Sequence, residues 1–380
     1  MKKFFKTLLT GVLACCMLSS CAVAKTQIAY TVYPVGYLVS RIAGDTVKAV
    51  SIQDSTIVQR ANITEDYENI LKNSAVFLHI GKLEPYLTIY SGQIEKDISA
   101  QLDLSSLNAV YDFKRYTAVM VDGALTYVEA PYYKGTQFDT IDTDEKDLFL
   151  WNDPISMLSM AKNIRDWLET TFPDQKQTYE ENFTKLETDL VDLDAQYQAL
   201  ATSNQNNNKV IKFVTMTASF GNWQKTYGFQ VYPVILSKYG ALPNAEQLQI
   251  IKDRIKADDV KYIVYEPNMT DDMIALFDEL KDELGLTRVE LSNLSSLTDQ
   301  QESDGKDYLS IMYENLSVLQ TMVQDAGQEN ASGTGDTTEA EASASPEASA
   351  SATPMATESA AARAVSPDQN TASASPEATK

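Results

Sequence analysis

One apolar stripe runs unbroken through the middle of this chain: Tyr179, Phe183, Leu186, Leu190, Leu193, Tyr197 and Leu200, in alternating steps of four and three. That spacing keeps all of these side chains on one face of a single α-helix. The helix runs out in the polar stretch Ser203-Asn204-Gln205-Asn206-Asn207-Asn208. About 27 residues at 1.5 Å each make a rod of roughly 40 Å, long enough to lie along two domains. A shorter amphipathic piece, Pro154–Thr171, precedes it and is set off by Phe172-Pro173-Asp174. A coiled-coil dimer would also bury such a stripe. It ranks second, because the regions on either side both need a surface to pack against.

Those flanking regions repeat one scheme. Before the helix, Gln27–Val32, Val47–Ile52, Ala75–Ile80 and Ala118–Val121 read as strands, with a helix Pro34–Ala43 that starts on proline and ends at Gly44. Thr64-Glu65-Asp66 supplies a cap and negative charge for a second helix through Leu71. After the long helix, Val210–Thr215, Lys261–Tyr265 and Arg288–Leu291 read as strands, and helices are expected from Asn244 to about Lys256 and from Thr270 to Leu284. Strand–helix alternation on both sides predicts an α/β fold of two lobes with mainly parallel sheets, bridged by one long rigid helix. The expected divisions are an N-terminal lobe over 26–150, a helical segment over 151–203 and a C-terminal lobe over 209–325.

The ends of the chain speak to compartment. Met1-Lys2-Lys3 leads an apolar stretch too short for a membrane span, followed by Leu18-Ser19-Ser20-Cys21. This reads as a lipoprotein signal over 1–21, with Cys21 as the lipidated residue that anchors an extracytoplasmic protein to the cell membrane. A plain cleaved signal ending near Ala22-Val23-Ala24 is the alternative. Cys15 and Cys16 would leave with the signal, so no disulfide is expected in the mature chain. The net charge is -22, from 53 acidic and 31 basic residues. That balance argues against nucleic acid and against attachment through a basic patch. Residues 327–380 carry eight acidic groups against Arg363 and Lys380, in a setting of Ala, Ser, Thr and Pro with no aromatic side chain. Such a composition cannot offset its ordering entropy, and a disordered tail is expected.

Several motifs together resemble the zinc/manganese-type solute-binding proteins of ABC importers. They are Tyr33-Pro34 with Ile42-Ala43-Gly44-Asp45; Trp151-Asn152-Asp153-Pro154; Tyr179-x-x-Asn182 and Leu190-x-x-Leu193-Asp194; Thr217-Ala218-Ser219-Phe220-Gly221; the run Val260–Pro267; and Tyr308-x-x-x-Met312-x-x-Asn315-Leu316-x-x-Leu319. The resemblance covers about Gln27 to Val323. It implies a metal held in a cleft between the lobes and delivered to an ABC permease driven by a cytoplasmic ATPase, by a protein expected to act as a monomer. Independently, ligands of α/β domains sit beyond the carboxyl ends of the strands.

Members of that family hold the ion with histidines, or histidines and a carboxylate, plus an aspartate from the second lobe. Carried over one position at a time, those ligands fall on Gln59, Phe149, Thr217 and Ser292, none of which is a usual zinc donor. The single histidine, His79, lies on an expected strand and reads as a hydrogen-bonded structural residue. The loop Lys134–Asp147 carries Asp139, Asp142, Asp144, Glu145 and Asp147 where some zinc members have a histidine-rich loop; a solvated acidic loop is the expectation, a calcium site the alternative.

Three readings follow. Oxygen donors from Gln59, Thr217, Ser292 and nearby carboxylates such as Glu266 would bind a divalent ion weakly. A cleft converted to a non-metal solute would draw on Phe149, Trp223 and the tyrosines. An accessory lipoprotein would hold no solute. Lacking a nucleophile beside a base or a phosphate-cradling loop, the chain does not read as an enzyme.

Overall fold

The strand Gln27–Tyr30 (β1) is buried in its centre because Ile28 and Ala29 have sheet neighbours on both sides. A computed structural model describes residues 26–325, apart from 55, 56, 107, 122 and 123. The expected signal, Cys21 and the tail 327–380 lie outside the described residues.

From β1 the chain enters α1 (Tyr33–Ala43), whose Pro34 fits the first helical turn and whose Gly44 closes it at φ 56°. Next come β2 (Lys48–Ser51), α2 (Tyr67–Asn73), β3 (Ser74–His79), α3 (Pro85–Asp97) and β4 (Gln101–Asp103). They form an all-parallel sheet of order β2-β1-β3-β4. Thr64 does not cap α2: its backbone carbonyl accepts from Tyr67, and Asp66 occupies the cap position.

Ala118–Val121 is strand, but not in this sheet. It belongs to β5 (Arg115–Val121), which pairs antiparallel with β6 (Ala124–Ala130) as a separate two-stranded ribbon. The sheet's fourth place is taken by the three-residue β4. Residues 113–147 come before the boundary placed at 150, yet their aromatic side chains pack with the second lobe. Arg115 leads this docking, donating to Gln230 at 3.1 Å and Tyr232 at 3.3 Å.

The helix α4 (Pro154–Thr171) begins where the Asp153 carboxylate accepts the Ile155 amide. The 31-residue α5 (Lys176–Asn206) carries the apolar stripe. Tyr179, Phe183, Leu186, Leu190, Leu193 and Tyr197 are all buried. Both lobes cover them. On the N-terminal side, Arg41 pairs with Asp189 at 2.6 Å and Asn182 donates to the Ile42 carbonyl at 3.1 Å. On the C-terminal side, Tyr197 donates to the Met312 carbonyl at 2.8 Å and Tyr227 to Asp194 at 2.9 Å. The stripe is therefore consumed within one chain and leaves no seam for a coiled coil. Leu190→Ala is expected to cost about 3 kcal/mol, through lost burial and a cavity the helix cannot collapse into; the urea midpoint measures it.

The second lobe runs β7 (Lys209–Thr217), α6 (Asn222–Tyr227), β8 (Gln230–Ile235), α7 (Ala245–Ala257), β9 (Tyr262–Tyr265), α8 (Asp271–Leu284) and β10 (Thr287–Glu290). It ends with α9 (Asp299–Ser303), α10 (Tyr308–Thr321) and β11 (Val323–Asp325). β10, β9, β7 and β8 are parallel, while β11 pairs antiparallel with the start of β7. Asn244 and Gln247 form a reciprocal cap on α7. Gly285 ends α8 in the left-handed region, but the Thr270 hydroxyl turns to Asp272 instead of capping that helix.

Candidate functional site

The carboxyl ends of both parallel sheets meet. Arg60, past β2, donates to the Gly240 carbonyl at 2.6 Å and to Asp272 at 3.0 Å in the other lobe. The Tyr33 amide, past β1, donates to the Ser295 carbonyl, past β10, at 3.2 Å.

Within the C-terminal lobe, these ends are knotted around Glu266. This carboxylate, fully buried just past β9, accepts the Thr217 amide at 2.8 Å, the Thr217 hydroxyl at 2.5 Å and the Asn293 amide group at 2.9 Å. Burial raises its pKa, and the Thr217 and Asn293 hydrogen bonds oppose that rise. The Thr217 hydroxyl also shares a 2.6 Å bond with Ser219. The loop after β10 is fixed just as firmly. Asn315 clamps Ser292 through both its amide and its carbonyl at 2.9 Å, and the Ser292 hydroxyl accepts the Leu294 amide. Leu294 is held at φ 59°, a region a β-carbon disfavours by about 1–2 kcal/mol. Trp151 donates to the Asn293 carbonyl at 2.8 Å and stacks obliquely on Phe149.

The four carried-over positions thus divide. Thr217 and Phe149 join one chain of contacts through Glu266, Asn293 and Trp151, and Ser292 precedes Asn293 on the same loop, held by Asn315. Gln59 sits on the short turn Val58–Arg60 against Gly240 of the opposite lobe, with its Oε1 buried and lacking a hydrogen-bond partner. Phe149 has no donor atom, Thr217 is spent on Glu266 and Ser292 on its own loop. Among the described residues, no three of His, Cys, Asp and Glu gather where they could hold a metal. The set does not fit zinc chemistry.

Two aromatic residues expected to face a ligand do not. Phe149 and Trp223 are core, and the Trp223 indole donates to the Asn152 carbonyl at 2.8 Å. Rings instead border a cavity of about 520 Å³ elsewhere, lined by Phe113, Tyr132, Tyr133 and Phe138. His79 is structural, as expected: its Nδ1 lies 2.8 Å from the Gly81 carbonyl oxygen and its ring stacks on Phe77.

In the acidic loop Asp139, Asp142 and Glu145 are exposed, as expected, but Asp147 is a correction. Asp147 is not solvated; it is buried, accepting the Phe149 amide at 3.2 Å and Asn222 at 3.0 Å. Burial pushes its pKa up to about 7, and pushes that of Glu84, buried at the start of α3, up to about 7 as well. These values lie above the ordinary 3.8 and 4.5, so the folded chain holds both protons more tightly than the unfolded chain. Their contribution to stability is full below the ordinary values and is lost as pH rises through about 7. The urea midpoint is expected to be higher at pH 5 than at pH 8, and Asp147→Asn should flatten that slope.

Two α/β lobes whose strand ends face a common cleft, tied by one helix, define a two-lobed solute-binding protein. The chain belongs to the family described as "Zinc-uptake complex component A periplasmic", whose model matches residues 28–322. The chain is 29% identical over 184 residues to the zinc-binding lipoprotein AdcA of Streptococcus pneumoniae, covering 48% of this chain and 35% of that one. It is 29% identical over 173 residues to the high-affinity zinc uptake system protein ZnuA of Bacillus subtilis, covering 46% and 52%. The chain therefore spans between about a third and a half of the length of these curated relatives. Its fold matches the Zn(II)-bound ZnuA-like domain of S. pneumoniae AdcA (TM-score 0.58, 21% identity, 78% of this chain and 98% of that one). It also matches the periplasmic zinc binding protein TroA of Treponema pallidum (TM-score 0.61, 17% identity, 78% and 99%).

Proposed function

We propose that this chain is the extracytoplasmic receptor of an ABC importer, anchored to the cell membrane through Cys21, which captures a solute between its lobes as a monomer and passes it to a permease coupled to an ATPase. Family membership over 28–322 carries this reading. The meeting of both sheets' carboxyl ends supports it, since that is where α/β lobes bind. Relatives named for zinc make a divalent ion one candidate solute, but Gln59, Phe149, Thr217 and Ser292 offer such an ion one amide oxygen and two engaged hydroxyls. Any metal held there would be bound weakly. A non-metal solute is favoured by that donor set. Cross-linking in the native cell tests the receptor role: recovery of an integral-membrane permease with its ATPase is expected. Recovery of envelope proteins alone would point to an accessory lipoprotein.

A further inference from the structure

The segment after β6 and Leu236, the first residue past β8, wall in the cavity of about 520 Å³. Carboxyl strand ends such as that of β8 are where open α/β sheets bind ligands. The walls are pinned from several sides. The Phe113 amide donates to the Glu145 carbonyl at 3.0 Å, and the Lys238 amide to the Asp142 carbonyl at 3.0 Å. The Gln247 side chain donates to the Gln137 carbonyl at 2.7 Å. Gly135, part of the lining, turns the chain at φ 129°, where a β-carbon is disfavoured. The space is therefore built into the loop, and its size falls within the roughly 300–1,000 Å³ of small-molecule sites.

Its lining has an aromatic part and a polar part. Phe113 packs on Tyr132 with ring centroids 5.2 Å apart, and Tyr133 stacks on Phe138 at 5.4 Å. The tyrosines bring ring surface alone. The Tyr133 hydroxyl is spent on the Pro233 carbonyl at 2.9 Å, and the Tyr132 hydroxyl accepts Gln224 at 3.0 Å. Phe113 and Phe138 are only half-buried, so part of each ring is left to the cavity. The polar part is Lys134, Asp139, Thr136 and Thr143. Among the described residues, no ion pair or hydrogen bond engages any of these four side chains. One ammonium, one carboxylate and two hydroxyls thus stand beside an aromatic wall.

These groups select the occupant. A lone carboxylate without imidazole or thiolate is too little for a metal ion. A phosphate calls for clustered cations or a helix N-terminus, and Lys134 stands alone in the lining. A sugar carries hydroxyls on every side, more than two threonines can match. An aromatic ring, by contrast, gains from tilted or offset contact with other rings beyond the area it buries. The charges of Lys134 and Asp139 sum to zero and suit a molecule carrying one of each sign. We propose that this cavity binds a free aromatic amino acid, its ring against Phe113 and Phe138, its carboxylate toward Lys134 and its ammonium toward Asp139. The site goes beyond the receptor reading above, since it needs neither a solute between the lobes nor a permease.

Calorimetry on the full chain tests it, with phenylalanine, tyrosine and tryptophan as probes. Alanine lacks the ring, phenethylamine the carboxylate and 3-phenylpropionate the ammonium. At least one aromatic amino acid should bind, and alanine should bind at least tenfold more weakly. Phe138→Ala should weaken every ring-bearing probe at least tenfold. Lys134→Gln should weaken amino-acid binding at least fivefold and leave phenethylamine unchanged. Asp139→Asn should do the same and leave 3-phenylpropionate unchanged. Lys134 and Asp139 are exposed, so these two variants decide the matter even if Phe138→Ala fails to fold. Binding of no aromatic amino acid, equal affinity for alanine, or affinity unchanged by both charge substitutions would overturn the proposal. Cross-linking to a permease is read separately, and its failure would count against the receptor role alone.

Discussion

Glu266→Ala should destabilise the protein by roughly 3–5 kcal/mol, read as a drop in the urea unfolding midpoint. The substitution removes the acceptor of the Thr217 amide, the Thr217 hydroxyl and the Asn293 amide group in a site closed to water. Each stranded buried donor costs about 1–3 kcal/mol, and the Thr217 hydroxyl can recover part by turning to Ser219. Glu266→Gln should cost less, because it preserves shape and one acceptor oxygen. The comparison separates two roles for this carboxylate. A structural keystone gives the large loss, whereas a group held in reserve for a ligand would leave stability within about 0.5 kcal/mol of the parent.

The second large effect concerns zinc. A closed four-ligand zinc site contributes on the order of 10–16 kcal/mol at neutral pH. The equivalent positions here supply a phenyl ring, two hydroxyls committed to neighbours and one amide oxygen. Zinc affinity at least a thousandfold below that of a four-donor site is expected, a difference of at least about 4 kcal/mol. Glu266 does not repair the deficit, because using it would release three donors into the interior. Burial also holds Asp147 protonated up to about pH 7, and that carboxylate already accepts Phe149 and Asn222.

Much of this architecture is legible in the residues. The stripe from Tyr179 to Tyr197 identifies the bridging helix because burial follows helical periodicity wherever one face is covered. Elements that escaped had weak or contrary local signals. β4 is three residues long, and β8 contains Pro233, which a strand tolerates only at an edge such as this one. Of the ribbon β5–β6, only Ala118–Val121 was recognisable as strand; β6 and the ribbon's separate place were not, since its docking through Arg115 fixes where it lies. Thr64 misled as a cap because Asp66 takes that position and the Thr64 carbonyl accepts from Tyr67, which composition does not reveal.

The site was legible as a loss. One histidine in 380 residues rules out a multi-histidine centre. What replaced it was not legible. The partnership of Glu266 with Thr217 and Asn293 depends on which strands are neighbours, and the burial of Asp147 depends on a loop folding under Asn222.

Elemental analysis of the full chain, dialysed against zinc and then against a mild chelator, bears most directly on the proposal that the family's two-lobed scaffold persists here without its transition-ion donors. Far less than one zinc per chain should remain. One tightly retained zinc per chain, lost on changing Thr217 or Ser292 but not on changing surface acids, would contradict it.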